Sequence, residues 1–259
     1  MSLKKKICVC FFGVIGRSIR FTYGYHVEKM IKPLKQLYDV DIYVFNLDVG
    51  DTKIDGMSVN AEDYNIINAT YYDEYNQNDL DNELEIYYKK GICKFRFDYP
   101  ESQIRNALRQ MYSEYRVGCF LDKNRQKYSS AIVCGPDYCL LKTLNMADVE
   151  KSINEENVVY TTDVNIGQGY TNGFYIGHLS PLINVLKRYE IIEQLLPTRR
   201  DYEYLLKQAF NIYGIQRKLT NMLFVKIRNN GDIAIQGKMR QKKKLYYINK
   251  LNIKETIIF

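Results

Sequence analysis

Histidine is scarce in this chain of 259 residues, with only His26 and His178, and tryptophan is absent. The six cysteines form no CxxC pair. Cys8 and Cys10 share one strand face, and Cys93, Cys119, Cys134 and Cys139 are scattered. A zinc cluster is therefore not expected, and buried free thiols are. No apolar run approaches the length of a membrane-spanning helix. The start, MSLKKKICVCFFG, joins a basic patch to an apolar run, but the run is short and has no small-residue cleavage site. It flows into Gly13, so it reads as a first strand and not as a secretory signal. A cytoplasmic protein without a transmembrane segment is expected. No Ser-, Pro- or Gly-rich linker divides the chain and no repeat period is visible, which points to one domain.

What is present fits a folded globular core, with 46% hydrophobic and 26% charged residues. The net charge is +7, part of it in the segment KMRQKKKLYY near the end. A basic tail and 24 tyrosines are compatible with single-stranded nucleic acid. Tyr, Asn, Lys and Ile are all abundant, however, as an AT-rich genome produces without selection for any ligand. No nucleic-acid partner is expected.

KKICVCFFG is a continuous apolar run closed by a glycine, the pattern of a parallel-sheet strand. TYGYHVEKMIKPLKQLY follows with Val27, Met30, Ile31 and Leu34 at helical spacing, and DVDIYVFNLD reads as a second strand. Strand, helix, strand in this span is a βαβ unit, so the class is α/β. A short strand and a helix beginning near Asp79 come next, with DLD at 79–81 as its cap. ESQIRNALRQMYSEYRV places Ile104, Leu108, Met111 and Tyr115 on one helix face, with Arg105, Arg109 and Arg116 on a second stripe. AIVCGPD reads as a buried strand stopped by Pro136. NVVYTT and NGFYIG are further strands. SPLINVLKRYEIIEQLL reads as a helix with Ser180 as N-cap and Pro181 at its first position. RRDYEYLLKQAFNIYG is another, closed by Gly214. LFVKIR is a late strand followed by the turn signal NNGD.

Ligands of open α/β sheets bind beyond the carboxyl ends of the strands. That rim selects Gly13 to Arg17 after the first strand, Asn46 and Asp48 on the second, Asp137 after the middle strand and Asp163 after the next. An arginine with several carboxylates there suits a phosphorylated ligand and a divalent cation. GVIGR is neither GxGxxG nor a P-loop, so a plain strand-to-helix turn explains it about as well as a phosphate contact. Arg105 and Arg109 are read first as a solvated helix face. DVD at 39–41 lies on the wrong rim. Asp137 is harder to dismiss, because a carboxylate at the tip of a core strand is costly unless something pairs with it.

ICVCFFGVIGRSIRFTYGYHVEKMIKPL with DVDIYVFN, NALRQMYSEYRV, AIVCGPDYCL, TNGFYIGHLSPLINVLKRY and LFVKIRNNG together resemble the nucleotide-sugar glycosyltransferases of GT-A type found among bacterial capsule genes and in large DNA viruses. The resemblance implies a single domain over 1–259, in a Rossmann-like, mostly parallel sheet flanked by helices. It implies a nucleotide-binding half at about 1–140, an acceptor half at about 141–235 and a basic tail at 236–259. It also implies a nucleoside diphosphate sugar donor and a glycan acceptor. Asp137 would hold Mn²⁺ or Mg²⁺ against the sugar diphosphate. Gly13 and Arg17 would meet the nucleotide, and Asn172 the sugar or acceptor; Asn46 on the same rim and Arg105 and Arg109 on the helix stripe are further nucleotide candidates. Asp163 would join Asp137 as a catalytic carboxylate. Three positions depart from the family pattern. Val133 and Gly135 stand where basic residues usually precede Pro-Asp, and Asn172-Gly173 replaces an Asn-Asp pair. An inactive transferase-like scaffold and a basic, tyrosine-rich RNA-binding protein are the alternative readings.

Overall fold

The computed structural model describes residues 4–54, 56–89, 101–164, 169–196 and 202–234. Strand β1 (Lys6–Gly13) leads through a short 3-10 turn into helix α1 (Ile19–His26). That helix continues through a π-helical segment (Val27–Ile31) into α2 (Lys32–Leu37). Pro33 has no N–H to give the ladder, and the widened turn comes immediately before it. The chain then runs through β2 (Asp39–Asp48), the hairpin β3 (Lys53–Ile54) and β4 (Met57–Ser58), β5 (Tyr71–Asn76), α3 (Gln77–Lys89) and α4 (Glu101–Lys123). Next are β6 (Ser130–Cys134), β7 (Tyr138–Leu140), α5 (Met146–Asn154), β8 (Val158–Thr161) and β9 (Phe174–Gly177). The last described elements are α6 (Leu179–Leu186), α7 (Ile192–Leu195), α8 (Tyr202–Ile212), β10 (Gln216–Leu219), β11 (Phe224–Ile227) and β12 (Ile233–Ala234).

Seven strands form one sheet in the order β10-β8-β9-β6-β1-β2-β5. Every pairing in it is parallel except those of β9, which runs against β6 and β8. This is the expected α/β class with a mixed, mostly parallel sheet. A smaller sheet, β12-β11-β7, is antiparallel.

The continuous apolar runs follow from burial on both faces. Along β1, Cys8, Cys10 and Phe12 pack with Leu108, Met111 and Val117 of α4 and with Leu182 of α6. The alternate residues Ile7, Val9 and Phe11 pack on the other side with Ile19, Met30, Leu34 and Val149. The Cys8, Cys10, Cys119, Cys134 and Cys139 thiols are free. No described helix is long and apolar enough to cross a membrane.

Several local readings change. The cap of α6 is His178, whose Nδ1 accepts from Ser180 N at 3.4 Å, so Ser180 and Pro181 lie inside the helix. Asn76, whose side chain accepts from Asn78 N, stands at the start of α3, and Asp79 and Asp81 lie within the helix. Asp41 of the DVD segment lies within β2 near its start, held by Lys6, Lys127 and Tyr128 on the rim opposite the carboxyl ends. Strands β3, β4, β7, β10 and β12 are additional to those expected.

Candidate functional site

The carboxyl ends of β1, β2 and β6 open into a cavity of about 520 Å³. β1 contributes Phe12 and Gly13, the turn after it Val14 and Arg17, and the β3 region Thr52, Lys53 and Ile54. Helix α4 closes one side with Asn106, Arg109, Gln110 and Ser113. The link from β6 to β7 supplies Gly135, Pro136 and Asp137, and Lys226 and Arg228 come from β11 and its end.

Local bonding fixes these groups. Gly13 has φ +100°, a backbone state that suits glycine. It lies opposite Asn46 in the ladder. Asn46 Oδ1 accepts from Ile15 N at 3.2 Å, and its Nδ2 donates to Tyr72 Oη at 3.3 Å, so Asn46 shapes the turn that carries Arg17. Helix α1 is tied to the opposite wall. Ser18 Oγ donates to Ile227 O at 2.7 Å and Thr22 Oγ1 to Pro136 O at 2.6 Å. Asp137 is held by its backbone, whose carbonyl accepts from Ile227 N at 2.8 Å. Gly135 N donates to Gly173 O at 2.8 Å, and Tyr138 Oη donates to Asn172 O. Gly173 has φ +87°, and a Cβ there would meet Tyr138 Oη at 2.7 Å, so this crossing needs glycine.

Gly13, Arg17, Arg109 and Asp137 thus line one cavity. Arg109 reaches it while bound bidentately to Asp81, at 2.7 and 2.6 Å. Arg105 is outside the lining and pairs with Glu101 and Glu85. Asn172 is buried one layer behind the wall. Its Nδ2 donates to Gln110 Oε1 at 3.4 Å, and its Oδ1 has no hydrogen-bond partner. Asp163 follows β8 on the same rim but is 63% exposed, 3.7 Å from Arg217 and outside the lining. The basic tail at 236–259 lies outside the described residues.

Behind the wall, His26 Nε2 donates to Tyr138 O, and burial lowers the pKa of this imidazole to about 4, so it is neutral near pH 7. Burial likewise raises the Cys134 thiol and the Tyr138 phenol. None of the three is a proton donor or acceptor for the cavity at neutral pH.

The charge balance of the cavity differs from the expected cluster of acids. Among the described lining residues Arg17, Lys53, Arg109, Lys226 and Arg228 are basic, and Asp137 is the single carboxylate. Lys53, Lys226 and Arg228 were missed in the sequence. The alternation of LFVKIR places Lys226 and Arg228 on one strand face and was the available signal. A divalent ion takes several oxygen ligands. Nowhere among the described residues do three or more His, Cys, Asp or Glu side chains gather to hold a metal. Asp137 is the one carboxylate the lining offers, so a divalent ion here would need its other oxygen ligands from the substrate or from water.

No family model matches the chain, and no curated protein matches it. Among solved structures, mouse xyloside xylosyltransferase 1 in its apo form is similar with a TM-score of 0.47 and 8% sequence identity, over 83% of this chain and 85% of that one. At that level of likeness, a functional reading has to rest on the cavity itself.

Proposed function

We propose that the chain is a GT-A-like glycosyltransferase that moves a sugar from a nucleoside diphosphate sugar to a hydroxyl of a glycan acceptor. The observation that supports this is the convergence of Arg17, Arg109, Lys226 and Arg228 with one carboxylate, Asp137, in a cavity at the carboxyl edge of a parallel sheet. Its volume lies within the range of about 300–1,000 Å³ usual for small-molecule sites.

In this reading the nucleotide lies along Gly13 to Arg17 and the diphosphate meets the basic wall. The sugar and acceptor lie near Asp137 and Gln110, with Asn172 orienting Gln110 from behind. The acceptor oxygen bonds to the anomeric carbon, and the bond from that carbon to the diphosphate breaks with its electron pair leaving on the diphosphate. Fixed cations stabilise the charge that grows there. The hydroxyl proton passes to Asp137, since Asp163 lies outside the lining.

The test is incubation of the chain with a panel of UDP- and GDP-sugars and mono- or disaccharide acceptors, read by mass spectrometry. A product heavier than an acceptor by one sugar, with release of the nucleoside diphosphate, is expected. An Arg17→Ala variant should form it more slowly at limiting donor.

A further inference from the structure

Lys226 and Arg228 stand two residues apart, with Ile227 between them buried at 1% exposure. The segment is pinned from both sides, because Ile227 N donates to Asp137 O at 2.8 Å and Ile227 O accepts from Ser18 Oγ at 2.7 Å. Asn229, next in the chain, donates to Ile54 O and Met57 O at 3.1 Å and to Ser58 O at 3.3 Å. It clasps the β3–β4 hairpin, which carries Lys53, onto the end of β11. Three cations from two distant parts of the chain are thereby held on one cavity.

Several cations elsewhere have acidic partners. Arg105, Arg109, Arg116 and Lys127 each pair with a carboxylate. Among the described residues Lys53 and Lys226 have none, and the Lys226 ammonium lies 5.2 Å from the Tyr138 ring centroid. Lys53 and Lys226 add positive charge to a lining with a single carboxylate, Asp137, which favours an anion there.

We infer that the donor's diphosphate is neutralised by Lys53, Lys226 and Arg228, side chains taking the part that a divalent ion would otherwise play. This rests on the reading of the cavity as a sugar-nucleotide site. On this account β11 determines affinity for the diphosphate, and a nucleoside monophosphate binds much more weakly than the diphosphate. Asp137 faces the transferred sugar.

Calorimetric titration of the full chain in EDTA tests it, with inorganic pyrophosphate, UDP and GDP as probes. Pyrophosphate and at least one nucleoside diphosphate should bind without metal, and added Mn²⁺ should change the affinity less than about twofold. Loss of one charged hydrogen bond corresponds to binding about ten- to a hundredfold weaker in Lys226→Met. Lys53→Met should also weaken binding, and its exposed position guards against misfolding. Lys218→Met, which removes a cation paired with Glu155 on the edge strand β10, should bind as wild type. Binding that appears only with Mn²⁺, or wild-type affinity in both cavity variants, overturns the inference and leaves the donor reading standing. Metal-free binding of pyrophosphate but of no nucleoside diphosphate supports the anion site and removes the donor reading. Binding of none of the probes overturns both.

Discussion

Arg188 Nη1 lies 2.7 Å from Glu114 Oε2, and neither side chain is exposed. Glu114 also accepts from Tyr175 Oη at 2.9 Å, Tyr202 Oη at 3.0 Å and Gln110 Nε2 at 3.1 Å. Tyr175 Oη accepts in turn from Gly173 N at 3.0 Å. The pair therefore links the core beneath α4 to Gln110 in the cavity wall and to the strand entrance at Asn172-Gly173. Desolvating two ions is costly, and the partners gathered by Glu114 offset it, although Arg188 Nε is buried without one.

Removing one charge from that pair leaves the other buried and uncompensated. Glu114→Gln should cost about 3–5 kcal/mol of stability in urea unfolding. Adding Arg188→Met should recover part of the loss. A single variant within about 1 kcal/mol of wild type would show that the pair contributes far less than a buried ion pair normally does when broken.

His26 gives the fold a pH dependence. In the unfolded chain it titrates near 6.5, and in the folded chain at about 4 because it is buried against Phe11. Between those values the unfolded state binds more protons, so stability rises with pH. The contribution is present above pH 6.5 and lost as pH falls toward 4, by at most about 3 kcal/mol. His26→Gln, which can still donate to Tyr138 O, should lose less stability than wild type between pH 7 and 4.5. Equal losses in urea melts at the two pH values would contradict the assignment.

The sheet was legible where burial on both faces leaves a continuous apolar run, as in β1, β2 and β6. Strand β10 was not, because QRKL is an edge strand that pairs through its backbone while exposing polar side chains. Ser180 followed by Pro181 imitates a helix start, and the observed start depends on the His178 ring, whose capping role no propensity signals. Asp137 and Arg17 could be placed because the carboxyl-edge rule needs only strand order of a local kind. Lys226 and Arg228 could not, since their position depends on β11 pairing with β7 across many intervening residues. Arg105 and Arg109 sit one helical turn apart, and only the position of Asp81 and Glu85 on α3 shows which of them reaches the cavity.

Two of the three arginines expected at the nucleotide should part company. Arg17→Ala should weaken nucleotide binding by about 1.5–3 kcal/mol, the range for a charged hydrogen bond. Arg105→Ala should leave it unchanged, because its guanidinium is engaged by Glu101 and Glu85 outside the lining. Titration of both variants with the same nucleoside diphosphate decides this, and equal losses would move the nucleotide toward the start of α4.

Asp137→Asn keeps the shape and removes the charge. The carboxylate has no hydrogen bond or ion pair among the described residues, so the melting temperature should hold. Diphosphate affinity should stay the same or rise as an anion leaves a basic wall. Transfer should fall at least about a hundredfold, the scale of losing one electrostatic or acid–base group. If Asp137 instead holds Mn²⁺, the variant loses Mn²⁺-dependent donor binding, which titration with and without the ion would reveal.

Thermal unfolding across a panel of UDP-, GDP-, CDP- and dTDP-sugars tests most directly whether this cavity receives a nucleoside diphosphate sugar. A ligand at a hundred times its dissociation constant adds about 2.7 kcal/mol to stability. The account predicts a concentration-dependent rise in melting temperature for at least one sugar nucleotide, much reduced in Arg17→Ala and Lys226→Met. A melting temperature unmoved by every sugar nucleotide, with and without Mn²⁺, would contradict it.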